Sequence, residues 1–170
     1  MFKRLLAALC AVALCAAMVG CGKTDTPNDQ TTQEEQQAET KTVTLYLPDD
    51  QAESVVPTET EIKVSGEDEA ADLMAALVEQ GVLPAEVAAN SLTKDDNNNL
   101  TLDVNAAFAE ALSGSGTAGE TMVIASVADT FLAYYGAASL LITVDGGTLE
   151  TGHALYDEPF TRIFDAAPAA

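Results

Sequence analysis

Fourteen residues, Met122 to Tyr135, read MVIASVADTFLAYY and carry apolar side chains on nearly every side of a helical wheel. A helix patterned this way has no face for water and must be covered on most sides. Gly136 stops it, and Leu140-Leu141-Ile142-Thr143-Val144 follows as a continuous apolar strand. Such a strand belongs in the middle of its sheet. The pair therefore demands a layered fold, with helix laid on sheet and further elements around both.

The preceding residues supply those elements. Val43, Leu45 and Leu47 alternate with Thr44 and Tyr46, a half-buried strand ended by Pro48. A second extended stretch lies around Val55–Val64, where Ile62 and Val64 alternate with Glu61 and Lys63. Ser65-Gly66-Glu67-Asp68 has the form of a capping box. The helix it opens sets Ala70, Leu73, Met74, Leu77 and Val78 on one stripe, with Gly81 and Pro84 past its end. Leu92-Thr93 and Leu100–Val104 flank the Asn/Asp turn KDDNNN, which predicts a hairpin. Asn105 then caps a short helical AAFAEAL, and SGSGTAGE (113–120) reads as a flexible loop ending in a Thr117–Glu120 capping box. This order has too few strand–helix–strand units for a doubly wound fold. It predicts one α+β domain over residues 43–165: a mixed, mostly antiparallel sheet with two main helices packed on one face.

The other end of the chain is built for export. Lys3 and Arg4 precede an uncharged run from Leu5 to Val19, too short for a comfortable transmembrane helix of roughly 20 residues. A basic start, a short apolar core and small residues at its end make a secretory signal, residues 1–20. AMVGCGKT (17–24) fits the letters of a loose phosphate-binding loop, but no strand precedes it and no apolar helix follows. Met18-Val19-Gly20-Cys21 instead resembles the lipobox of bacterial lipoproteins. That resemblance implies cleavage before Cys21 and lipidation of its sulfur and new amino group. Two or three acyl chains, at about 0.8 kcal/mol per buried methylene, hold a protein on a membrane for its lifetime. Cys21 and the polar stretch 22–42, which has no apolar residue larger than Ala, form the anchor and a disordered tether of about 25 Å.

Maturation at Cys21 removes Cys10 and Cys15, so no cysteine is left for a disulfide or thiolate metal site. It also leaves five basic residues against 27 acidic ones, a formal charge of −22. Phosphate backbones repel such a surface, so nucleic acid is excluded as a partner. Asp95, Asn97 and Asn99 imitate a calcium loop, but Leu100 and Ala106 stand where that loop needs Gly and Glu. Gly114, Gly116 and Gly119 spell G-x-G-x-x-G without the strand a dinucleotide site requires. His153 is the lone histidine, with no thiol and no evident acid partner, and reads as a solvated loop residue. Ser113, Ser115 and Ser126 have no G-x-S-x-G context. No catalytic set, cofactor or metal site emerges, which points away from an enzyme.

Three stretches together resemble the GerMN domain of spore-germination and sporulation lipoproteins. They are TVTLYLP (42–48), LTLDVNAAFAEAL (100–112) and IASVADTFLAYYGAASLLITVDGG (124–147). The resemblance spans roughly residues 43–160. It implies a non-catalytic extracytoplasmic module similar to the ring-building domains of secretion and sporulation complexes. The expectation is a lipoprotein on the extracytoplasmic face of the cell membrane, anchored through Cys21. It would act in sporulation, germination or envelope assembly and bind a protein partner with a basic surface. The alternative is a solute- or cation-binding lipoprotein, which predicts a closed pocket with convergent polar groups.

Overall fold

The computed structural model describes residues 39–164. The signal segment, Cys21 and the tether up to residue 38 lie outside the described residues. In chain order the elements are β1 (Glu39–Pro48), β2 (Val55–Val64), α1 (Glu69–Glu79), β3 (Ala89–Lys94), β4 (Asn99–Val104), α2 (Ala106–Tyr135), β5 (Ser139–Val144), β6 (Gly147–Glu150) and β7 (Leu155–Tyr156). The class is α+β.

The strands fall into two sheets: β1 pairs with β2 alone, and β3-β4-β5-β6-β7 form the other. Apolar β5 is the central strand of the five, as its unbroken hydrophobicity requires. It runs parallel to β4, because α2 carries the chain back between them, while the other pairings are antiparallel. The β1–β2 hairpin forms its own sheet, and helix α2 packs against β1. There the Tyr46 amide donates to Thr130 Oγ1 at 2.9 Å, where another strand would otherwise bond. β1 also begins four residues upstream of its apolar alternation. Glu39 to Thr42 pair with Val64 to Glu61 but carry no apolar side chain themselves, so this extension has no hydrophobic alternation to announce it.

Helix α1 is capped by Asp68, whose carboxylate accepts the Ala70 and Ala71 amides at 3.0 Å. Ser65, the expected cap, sits one turn earlier, and its amide donates to Asp72 at 3.0 Å. Ala70, Leu73, Met74 and Leu77 are buried as the stripe predicts. Asn105 stands at the N-cap position of α2, but its side chain binds the Ala88 amide and the Glu86 carbonyl instead.

The expected loop at 113–120 is helical except at one point. Gly116 has φ 68° and ψ 168°, values that interrupt α2 and that only glycine adopts freely. Beyond it Val127, Ala128 and Phe131 are wholly buried, and they join Leu102, Leu140, Ile142, Leu45 and Ile62 in a single core spanning helices and both sheets. Gly136, left-handed at φ 58°, ends the helix. Ser126 is fully buried on α2, and its hydroxyl has no hydrogen-bond partner among the described residues. Ser126→Ala therefore removes an uncompensated desolvation cost and raises stability by about 1 kcal/mol in chemical denaturation. A loss of stability would show that the hydroxyl is bonded after all.

Candidate interaction surface

The motifs noted in the sequence resolve into structural roles. Asp95 accepts the Asn97 and Asn99 amides at 2.9 and 2.8 Å and the Asn99 side chain at 3.0 Å. The backbone bond from Asn99 is the main cause that holds this carboxylate below its ordinary range. Its acceptor capacity closes the β3–β4 turn, with Asn98 at φ 67°. Among the described residues no group of three or more His, Cys, Asp or Glu is placed to hold a metal ion. The three glycines of G-x-G-x-x-G lie within α2, not after a strand. Gly119 is there for packing: a Cβ on it would lie 2.9 Å from the Ser115 Cβ.

Glu120 is the residue the sequence reading misplaced. It is 1% exposed rather than a capping residue on the surface. Tyr156 OH and Thr151 Oγ1 donate to its Oε1 at 2.6 and 2.9 Å, and His153 Nδ1 lies 3.1 Å from its Oε2. Burial alone pushes its pKa up, but the bonds from Tyr156, Thr151 and His153 outweigh it and hold the carboxyl below its ordinary value. Burial and the bond to Glu120 push the Tyr156 hydroxyl up to about 12, so it stays a donor. His153 thus has an acid partner that spacing did not reveal. Its Nε2 has no hydrogen-bond partner among the described residues, so no nucleophile is set up beside it. A second buried carboxylate on α2, Asp129, accepts the Ile163 and Phe164 amides at 2.8 and 3.0 Å. One signal could have found both. Glu120 and Asp129 are the carboxylates of α2 beyond Gly116, the half that is apolar on most sides, so each needs donors from elsewhere.

On the surface, the Lys and Arg side chains among the described residues are all engaged. Lys41 donates to Tyr134 OH at 2.6 Å and pairs with Glu69 at 3.4 Å; Lys63 pairs with Glu79 at 3.3 Å. Lys94 donates to the Tyr135 carbonyl at 3.2 Å, and Arg162 bonds and stacks on Tyr46. Most of the acidic side chains therefore face water without an ion pair. The clefts between them are open and shallow. One of about 460 Å³ runs from Glu67–Ala70 to Asn90–Leu92 and Tyr135, and one of about 300 Å³ is formed by Leu155–Phe160. Val56 and Leu155 are the exposed large hydrophobic side chains among the described residues. No described helix is long and apolar enough to cross a membrane.

The decisive observation comes from comparison with known families. The model of the Germane family, described as sporulation and spore germination, matches residues 44–150, well over half of the chain. The chain belongs to the Germane family. Its fold agrees with that of the first GerMN domain of the sporulation protein GerM from Bacillus subtilis, at a TM-score of 0.57 and 18% identity. That match covers 72% of this chain and 98% of that domain. The tandem GerMN domains of the same protein match at 0.56 and 20% identity, covering 79% of this chain and 49% of that one. A search of curated protein sequences finds no match. In Germane terms the family match ends at Glu150, so Thr151, His153 and Tyr156, the partners of Glu120, lie beyond it.

Proposed function

We propose that this Germane-family chain is a lipoprotein, anchored at the extracytoplasmic face of the cell membrane through Cys21, whose domain binds a protein partner and catalyses no reaction. It would serve sporulation, germination or envelope assembly. The observation that carries this reading is the acidic surface, whose basic groups Lys41, Lys63, Lys94 and Arg162 are all committed to internal contacts. A partner with basic groups is attracted to such a surface and wrong partners are repelled. The open clefts and the self-satisfied Glu120 and Asp95 clusters are consistent with binding of another protein and offer little to a small solute.

Crosslinking of the full chain in its native envelope tests the partner. The expected result is a defined protein adduct whose yield falls as the ionic strength rises past about 0.1 M, where the Debye length drops below about 10 Å. Saturable uptake of a small solute, with no protein adduct at any salt concentration, would overturn the reading. The anchor is tested by Cys21→Ala. This variant should be uncleaved or released from the membrane, read by fractionation and by metabolic labelling with a radioactive fatty acid. A processed, membrane-bound Cys21→Ala protein would remove the lipoprotein claim.

A further inference from the structure

The segment after the family match builds a small surface of its own. Leu155 is 57% exposed, with Val56 at 41% the other exposed large apolar side chain among the described residues. With Tyr156, Pro159 and Phe160 it lines the cleft of about 300 Å³, whose rim carries Asp157 and Glu158. The Tyr156 and Phe160 rings lie 5.6 Å apart and form its wall. Among the described residues neither Asp157 nor Glu158 has an ion pair, and the described Lys and Arg side chains are engaged elsewhere. The cleft is also held in place at both ends. Tyr156 is bound to Glu120, and Phe160 exchanges two backbone hydrogen bonds with Leu140 of β5, at 2.7 and 2.8 Å.

We infer that the Leu155–Phe160 cleft is the docking site for a protein segment that carries an apolar anchor between basic residues. The anchor covers Leu155 and rests against the aromatic wall, while flanking Lys or Arg side chains meet Asp157 and Glu158. An apolar centre with a charged rim is the arrangement that concentrates binding energy in a few contacts. A site fixed beforehand loses little entropy on binding, so a short segment suffices. This inference rests on the partner reading above and names the face that carries it.

The probe is a labelled photoreactive peptide, KRLFRK, added to the full chain in nanodiscs of uncharged lipid. Binding is read by anisotropy and crosslinked positions by mass spectrometry. Crosslinks should fall within residues 155–160, and the equally charged peptide KRGSRK should bind about tenfold more weakly. Leu155→Ser should weaken KRLFRK about tenfold, and Asp157→Asn with Glu158→Gln should flatten its salt dependence. These side chains are on the surface, so circular dichroism should show the fold retained. Crosslinks spread over other acidic faces, or binding indifferent to all three substitutions, would overturn the cleft. Envelope crosslinking of the triple variant separates the two claims. Loss of the wild-type adduct supports the cleft, and an adduct that persists overturns the cleft alone. If the wild type forms no adduct, the partner reading falls and the cleft with it.

Discussion

Truncation of Phe131 to alanine lowers the unfolding free energy by about 3–5 kcal/mol. The side chain is wholly buried in the core that includes Leu102, Leu140 and Ile142, with its ring 6.2 Å from that of Tyr135. Removing it takes away the transfer energy of the ring and leaves a cavity that helix and sheet cannot both close. Domains of this size are stable by only about 5–15 kcal/mol, so a large part of the total is lost. The urea midpoint should fall with little change in slope. A shift below about 1 kcal/mol would mean that α2 does not pack on β5 as described.

Glu120→Ala costs about 3 kcal/mol, because it strips the acceptor from three groups at once. Glu120→Gln separates charge from shape, and pH exposes the difference. A carboxyl held below its unfolded value, about 4.3, contributes stability that is complete above that value. The contribution is lost as pH falls through the lower, folded value. Tyr156 works in the opposite sense. Raised from about 10 to about 12, it contributes stability below about pH 10 that disappears as pH rises through about 12. Wild type should therefore lose stability on acidification faster than Glu120→Gln. Superimposable acid limbs for the two proteins would show that Glu120 is solvated rather than clamped.

What could be read in advance was whatever repeats along one element. The stripe Ala70-Leu73-Met74-Leu77 and the alternation at Val43 and Leu45 each state which side is buried, and the unbroken Leu140–Val144 run states that its strand is central. What escaped depends on distant partners. Glu120 and Thr117 have the spacing of a capping box, and only the arrival of Thr151, His153 and Tyr156 converts Glu120 into a buried anchor. The β1–β2 hairpin forms a sheet of its own, tied to α2 by contacts such as the bond from Tyr46 to Thr130, 84 residues away. The exchange of Ser65 for Asp68 as helix cap is a local choice that backbone geometry makes and composition does not. Cys21, the one candidate site residue, is a matter of sequence alone, since it lies outside the described residues.

The break at Gly116 frees the two halves of α2 from a common rotation. In an unbroken helix each residue turns the next by about 100°, so an insertion anywhere rotates every later side chain away from its seat. At Gly116 the backbone has already left helical values. One residue more or fewer there is absorbed by the break, while Phe108 and Leu112 keep their bearing on one side and Val127 and Phe131 keep theirs on the other. The same insertion after Ile124 would swing Asp129 out of reach of the Ile163 and Phe164 amides. Length can vary at Gly116 without disturbing the core, and about two turns later it cannot.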